Sequence, residues 1–444
     1  MSTHGTVSLT SLLESGAYAS YAYSYPHKTT YRRLEPAVAL RDAWARERRD
    51  ALFLYLHVPF CEMRCGFCNL FTTVGADEAR EADYLRALKT QAEHVHAALG
   101  AASFARMAVG GGTPTYLSEA GLNDLFDIAA LFGATPRAIP TSVETSPQSA
   151  TTEKLHILRG RGVSRVSIGV QSFVESEVQA SGRAQKTWVV EAAIERIRDA
   201  DFPILNIDLM YGLPGQTIET WLYSLRRALC FAPQELYLYP LYIRPLTGIG
   251  KRGVGLPLND IRLECYRAAR QLLLESGYRQ VSMRMFQRAD VPVEGPIYCC
   301  QEDGMVGIGC GARSYTSALH YSTEYAVGAS GVREIIEDYI ARPAQSFSST
   351  DYGFALDAEE QRRRYLIQSL LQAGGLDLQL YRARFGSDAF DDVPPLEELH
   401  ECDLARHDAG FLRLNARGLE YSDAIGPWLG STRVRQEMAA YDLR

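Results

Sequence analysis

Lysine is scarce in this sequence: across 444 residues it stands only at positions 28, 89, 154, 186 and 251. Arginine supplies the rest of the positive charge, and 46 basic against 53 acidic side chains leave a formal net charge of −7. That balance lacks the sequence-independent attraction to phosphate on which nucleic-acid binders rely. Missing too is any apolar run near the roughly 18 residues that cross a bilayer. The opening MSTHGTVSLTSLLESGAYAS has neither a basic n-region nor an unbroken apolar h-region. The chain therefore reads as cytosolic (cytoplasmic), with no nucleic-acid partner and no membrane span. In a reducing compartment a tight cluster among its nine cysteines suggests a metal or a catalytic thiol rather than a disulfide.

What the sequence does have is a rhythm. Short apolar runs recur at Leu52–Val58, Arg106–Val109, Ile139–Val143, Arg165–Val170, Ile204–Met210 and Glu235–Leu241. Stretches of helical period separate them, among them Glu78–Leu99, Glu119–Phe132, Thr187–Ala200 and Glu219–Phe231. Strands alternating with helices predict an α/β fold with a parallel sheet. The number of units suits an incomplete (β/α)6 barrel, whose loops after the strands carry the chemistry. Residues 1–50 are a polar, tyrosine-rich lead-in expected on the substrate side, and 51–345 are the barrel with its trailing elements. Residues 346–444 are expected to form a helical, winged-helix-like domain. In it DAEEQRRRYLIQSLLQAGGLD is a helix closed at Gly374-Gly375, and GFLRLNARGLEYSDAIGPWL a small wing followed by a helix.

The most specific signal is HVPFCEMRCGFCNLF, which sets Cys61, Cys65 and Cys68 in a C-x3-C-x2-C array after the first strand. Three thiolates are one short of the four that usually hold a [4Fe–4S] cluster. A missing protein ligand leaves one iron open to a chelating amine and carboxylate, such as those of S-adenosylmethionine (SAM). Two plainer readings stand beside this one: a zinc site completed by His57, or unliganded thiols packed as small hydrophobes. Gly110-Gly111-Gly112-Thr113 follows the second strand, where glycines let backbone amides approach an anionic or zwitterionic ligand, or simply make a tight turn. Glu144 ends the third strand as a candidate acceptor for ribose hydroxyls, or as a surface carboxylate. Gln171 and Asp208 end the fourth and fifth, with Arg183 in a Gly-Arg turn between them, and a guanidinium suits bidentate capture of a carboxylate. Lys28, Arg32 and Arg33 could hold acidic groups of a substrate or form a solvated basic turn. Cys299, Cys300 and Cys310 lack the paired spacing of a second cluster and read as core residues or a redox thiol.

The words YLHVPFC, GGGTPTYL, VETSP, RVSIGVQSF, Gly182-Arg183, NIDLMYGLPGQT and GIGCGARSY, in this order, resemble the radical-SAM superfamily, and within it the oxygen-independent coproporphyrinogen III oxidase–like (HemN-like) group. The resemblance runs from about Tyr55 to Tyr315 and more weakly through the C-terminal domain. It implies a [4Fe–4S] cluster on Cys61, Cys65 and Cys68, and a SAM at the cluster held by Tyr55, Gly111, Glu144 and Arg313. It assigns Phe67, Gly112, Thr113, Gln171, Arg183, Asp208 and Tyr242 to a second SAM or to the substrate. The implied reaction is reductive cleavage of SAM to a 5′-deoxyadenosyl radical, which abstracts hydrogen from an organic substrate or from a second SAM, in porphyrin oxidation or methyl/methylene transfer. The implied partners are a small-molecule or peptide-derived substrate and an electron donor such as flavodoxin or ferredoxin. A haem-trafficking chaperone that keeps the cluster without turnover is the alternative from the same group. Two positions depart from the pattern: Leu70 stands where the oxidase carries a further cysteine, and PIYCCQEDGMVG lacks the His-Asn and Trp of the haem chaperone's segment.

Overall fold

The computed structural model describes residues 8–18, 24–253, 260–292 and 304–442. Contacts divide the chain into two units: Tyr31–Cys265 with Val291–Ala355 and the last residues, and Met1–Thr30 with Tyr266–Asp290 and Leu356–Tyr441.

The first unit is built on β1 (Leu52–Val58), β2 (Phe104–Gly111), β3 (Thr141–Thr145), β4 (Arg165–Gln171), β5 (Ile204–Tyr211) and β6 (Glu235–Pro240). They lie side by side in chain order, every neighbouring pair parallel. Between them run α1 (Glu78–Leu99), α2 (Glu119–Ala130), α3 (Thr152–Arg161), α4 (Thr187–Asp199) and α5 (Ile218–Cys230). Helix starts follow side-chain chemistry. Asp77 caps α1 through Arg80 N, Ser118 caps α2 through Gly121 N, and Thr217 with Thr220 forms a capping box on α5.

β1 and β6 are not paired with each other, so the parallel array is an open, incomplete barrel. On the far side of β1 the strand Met305–Ile308 adds in parallel, and Arg313–Tyr315, Leu319–Ser322, Ser349–Ala355 and Arg32–Ala39 follow antiparallel. Alternation along the strands sorts the side chains. Val143, Val166, Ile168, Ile207, Leu209, Leu236 and Leu238 are buried apolar positions, whereas the intervening Ser142, Glu144, Arg165, Ser167, Asn206, Asp208 and Glu235 share a polar interior. There Arg165 pairs with Glu235 at 2.7 Å and bonds Ser142 at 2.8 Å, and Asn206 bridges Ser167 and Asp208, each at 2.7 Å.

The second unit carries the helix Ala358–Leu370 and a wing in which Phe411–Leu414 lies between Leu376–Asp377 and Ala405–Asp408. The helix stops at Leu370, before the expected glycines, and Gly375, with φ +75°, leads into the strand Leu376–Asp377 instead. Within this unit the Tyr25 hydroxyl donates to Glu360 at 2.5 Å, and Ser431 donates to the same carboxylate at 2.6 Å. Among the described residues no helix is long and apolar enough to cross a membrane.

Candidate functional site

At the carboxyl ends of β1 to β5 lies a cavity of about 180 Å³, where open α/β sheets place their ligands. It is bordered by Cys61, Cys65, Cys68 and Phe67 after β1, Gly111, Gly112 and Thr113 after β2, and Glu144 on β3. Gln171, Arg183 and Asp208 border it as well. Of the residues that the resemblance assigns to the cluster, SAM or substrate, the structure gathers all but Tyr55, Tyr242 and Arg313 around one space.

The cysteine loop is fastened by its backbone. Gly66 N–H donates to the Ser181 carbonyl at 3.0 Å, and the Gly66 carbonyl accepts from Ile249 N–H at 2.8 Å. A Cβ on Gly66 would stand 2.4 Å from the Ser181 oxygen, so glycine is required by close approach. Tyr325 Oη adds a bond to the Asn69 carbonyl at 3.1 Å. Burial pushes the Cys61 thiol up to about 12 and raises that of Cys68. The sulfurs meet different partners: Thr113 Oγ1 at 3.6 Å from Cys61, Thr72 Oγ1 at 3.8 Å from Cys68, and Arg183 Nη1 at 3.2 Å from Cys65.

Gly66→Ala is expected to put about 1–3 kcal/mol of overpacking into this loop. Iron uptake on reconstitution should then drop several-fold while the far-UV circular dichroism stays that of the parent. Full iron uptake would show that the loop does not need the Gly66–Ser181 approach.

Among the described residues no group of three or more His, Cys, Asp or Glu side chains could hold a metal ion. All three thiols border the same cavity. His57, the candidate fourth zinc ligand, is buried, with Nε2 3.1 Å from the Phe71 carbonyl and Nδ1 3.2 Å from Tyr55 Oη. It packs beneath Gly111, whose φ of +111° and missing Cβ leave room for the imidazole.

The glycine loop corrects one expectation. Its amides are already used: Gly111 N–H donates to Glu144 at 3.2 Å, Gly112 N–H to the Val58 carbonyl at 2.7 Å, and Thr113 N–H to the Phe60 carbonyl at 2.7 Å. These three amides are therefore not the groups that receive a ligand while those bonds stand.

Glu144 stays open to the water of the cavity, yet burial among the walls and then the charge of Asp208 raise its carboxyl to about 7. Asp208 rises to about 6 through burial, partly offset by Asn206, Arg165 and Ser167. A raised carboxyl binds its proton more tightly in the folded than in the unfolded chain, so its contribution to stability falls as pH climbs from 4.5 to about 7. Glu144→Gln removes that penalty. It is expected to raise the melting temperature at pH 8 and to leave it unchanged near pH 4, modestly because the site is wet. An equal shift at both pH values would exclude the carboxylate as its cause.

Gln171 sits at a β-bulge with φ +68°, a strained conformation for a residue with a side chain. It is 8 % exposed, and its Oε1 has no hydrogen-bond partner.

Tyr55, Tyr242 and Arg313 do not border the cavity. Tyr55 points its hydroxyl at His57 and packs beside Phe53, Met305 and Tyr315. Tyr242 lies 5.3 Å and 5.8 Å from the guanidinium groups of Arg244 and Arg262, and Arg313 stands 5.7 Å over Tyr315; cation–π contact holds both in place. Arg33 pairs with Glu324 at 3.8 Å and Arg32 donates to the Tyr31 carbonyl at 2.9 Å. Neither arginine lines the cavity, and Lys28 belongs to the second unit. Cys310 is a core residue, its sulfur 3.6 Å from the Ile335 carbonyl; Cys299 and Cys300 lie outside the described residues. Sequence reasoning missed Glu62, whose carboxylate accepts from Ser146 at 2.9 Å, and Gln185, which accepts from Arg183 Nε at 2.7 Å. Ser146 was visible inside VETSP; Gln185 follows the Gly-Arg pair without any signal of its own. Leu70, 50 % exposed, stands at the cavity's edge.

Residues 55–228 match the radical SAM superfamily and residues 356–421 the HemN C-terminal domain. The oxygen-independent coproporphyrinogen III oxidase of Cereibacter sphaeroides is 31% identical over 407 residues, covering 85% of this chain and 88% of that one. The haem chaperone HemW of Bacillus subtilis is 28% identical over 384 residues, covering 85% of this chain and 98% of that one. The solved structure of coproporphyrinogen III oxidase (HemN) from Escherichia coli superposes with a TM-score of 0.80 over 96% of this chain and 99% of that chain, and at 23% identity it speaks for the fold. Fold, motif order and relatives agree: the chain belongs to the radical SAM superfamily, whose cofactors are a [4Fe–4S] cluster and SAM, and within it to the HemN-like group.

Proposed function

We propose that this chain is a radical-SAM enzyme acting on an organic substrate in the cavity above β1 to β5. The observation that carries the reading is the convergence of Cys61, Cys65 and Cys68 with Glu144, Gln171 and Asp208 on that cavity. Cys61, Cys65 and Cys68 would hold a [4Fe–4S] cluster through three of its irons. Such a cluster, once reduced, would supply the single electron that splits the C5′–S bond of SAM into methionine and a 5′-deoxyadenosyl radical. Glu144 accepts hydrogen bonds from the ribose hydroxyls of that SAM, and the carbonyl side of Gly111 and Gly112 receives its ammonium. Phe67, Thr113, Gln171, Arg183 and Asp208 face a second SAM or the substrate. The unpartnered Gln171 oxygen supplies an acceptor for a ligand N–H or O–H. Tyr55, Tyr242 and Arg313 act at most through neighbours.

Hydrogen abstraction in the manner of coproporphyrinogen oxidation is the first reaction to try, since the relative at 31% identity is such an oxidase. Methyl or methylene transfer through the second SAM follows from the same residues. The reductant is a low-potential flavodoxin or ferredoxin. A second reading, haem carriage without turnover, draws on the match to a haem chaperone along 98% of its length. One experiment separates them: anaerobically reconstituted, dithionite-reduced protein is mixed with SAM. Formation of 5′-deoxyadenosine supports the enzyme; a haem titration with a Soret shift and no SAM cleavage supports the carrier.

A further inference from the structure

The three cysteine sulfurs are not equivalent. Cys61 and Cys68 each meet a threonine hydroxyl, and Cys68 feels the Arg64 charge without a hydrogen bond from it, whereas Cys65 Sγ accepts a hydrogen bond from the Arg183 guanidinium at 3.2 Å. That guanidinium is fixed on every nitrogen: Nη2 donates to the Gly169 carbonyl at 2.6 Å and Nε to Gln185 Oε1 at 2.7 Å. Gln185 is buried and anchored in turn by its own bond to the Val170 carbonyl at 2.9 Å. Three of its five N–H bonds are used in this way, so the contact with Cys65 and the ligand contact proposed above do not exclude each other.

We propose that Arg183 is a positioning residue for the cluster, which raises its reduction potential through the charged hydrogen bond to Cys65. The inference rests on the function proposed above. Reduction adds one negative charge to the cluster, and a cationic N–H donor at a ligand sulfur stabilises the more negative state. Arginine keeps its charge at every working pH, so the effect is a fixed bias. It also marks the iron on Cys65 off from those on Cys61 and Cys68. The acidic neighbour works the other way: Glu62, beside Cys61, opposes negative charge on that sulfur.

The test uses the full-length, reconstituted protein and follows the reduced-cluster EPR signal against solution potential. Arg183→Gln is expected to load iron and sulfide as the parent does and to show a more negative midpoint. Arg183→Lys, which keeps the charge but not the fork, should fall between. Gln185→Ala loosens the guanidinium without touching Cys65 and should shift the midpoint in the same direction by less. If Arg183→Gln fails to load, the Gln185→Ala midpoint decides. A loaded Arg183→Gln protein with the parental midpoint, or an unshifted Gln185→Ala midpoint where Arg183→Gln does not load, overturns the proposal. Parent protein that takes up no cluster overturns the function reading itself, before any variant is compared.

Discussion

Each of Cys61→Ala, Cys65→Ala and Cys68→Ala is expected to yield a folded chain that holds no [4Fe–4S] cluster and forms no 5′-deoxyadenosine. The effect on activity is complete because, on the proposed ligand set, each thiolate claims one iron, and the loop offers no fourth cysteine: Leu70 stands two residues after the triplet. The effect on folding is small because the loop is tied down by backbone contacts, Gly66 to Ser181 and Ile249 among them, and not by the sulfurs. All three cysteine residues are partly exposed and border an existing cavity, so removal of their sulfurs opens no new core cavity of the kind that costs several kcal/mol. Iron and acid-labile sulfide analysis beside a thermal melt checks both halves. A variant with full iron content removes that cysteine from the ligand set; one that cannot fold shows that the loop is a structural staple.

The largest loss of stability is expected beneath the cavity. Arg165 and Glu235 pair at 2.7 Å in the barrel interior, where Glu235 is almost fully buried, and Arg165 also bonds Ser142 and lies 5.7 Å over Tyr237. Glu235→Ala strands the guanidinium in that interior and should destabilise the chain by about 3–5 kcal/mol. Replacing both partners with apolar residues, Arg165→Met with Glu235→Leu, should recover most of it, since neither half of the pair is left without the other; the remainder is the loss of the Arg165 charge that favours ionised Asp208. Denaturant unfolding of the two proteins measures the difference. A double variant as unstable as the single one would assign the loss to packing rather than to charge. The buried apolar positions of the parallel strands are mostly Val, Ile and Leu, with Phe53, Phe104, Met107 and Tyr211 among them, so this pair gives Asp208 and Glu144 a charged rather than an oily base.

The order of strands and helices was legible because burial leaves a strong trace: runs such as LFLYLHV and ILNIDLM admit little else. The site was legible because Cys61, Cys65, Cys68, Glu144 and Gln171 stand at strand ends or just after them, and strand ends meet at one face; Asp208, expected to end its strand, lies within β5, which runs on to Tyr211. What stayed hidden depends on distance in space. Arg32–Ala39 is a strand, antiparallel to Ser349–Ala355, but Pro36 and its charged neighbours mark it as polar coil; at a sheet edge such residues are tolerated. Tyr55 alternates with His57, and only the fold shows its hydroxyl turned to that ring. Tyr242 and Arg313 lie where motif order puts them, yet cation–π neighbours turn their side chains elsewhere. No spacing rule could show that Gly66 presses on Ser181, or that Arg183 reaches Cys65 across 118 residues of chain.

The central claim is an iron site that the protein leaves open for SAM. The direct measurement is EPR of the anaerobically reconstituted, reduced protein, recorded before and after SAM is added. The account predicts a [4Fe–4S]⁺ signal whose g-values change when SAM takes the open iron, with the change lost in Glu144→Ala at limiting SAM. A cluster signal that ignores saturating SAM, or reduced protein with no cluster signal at all, would contradict it.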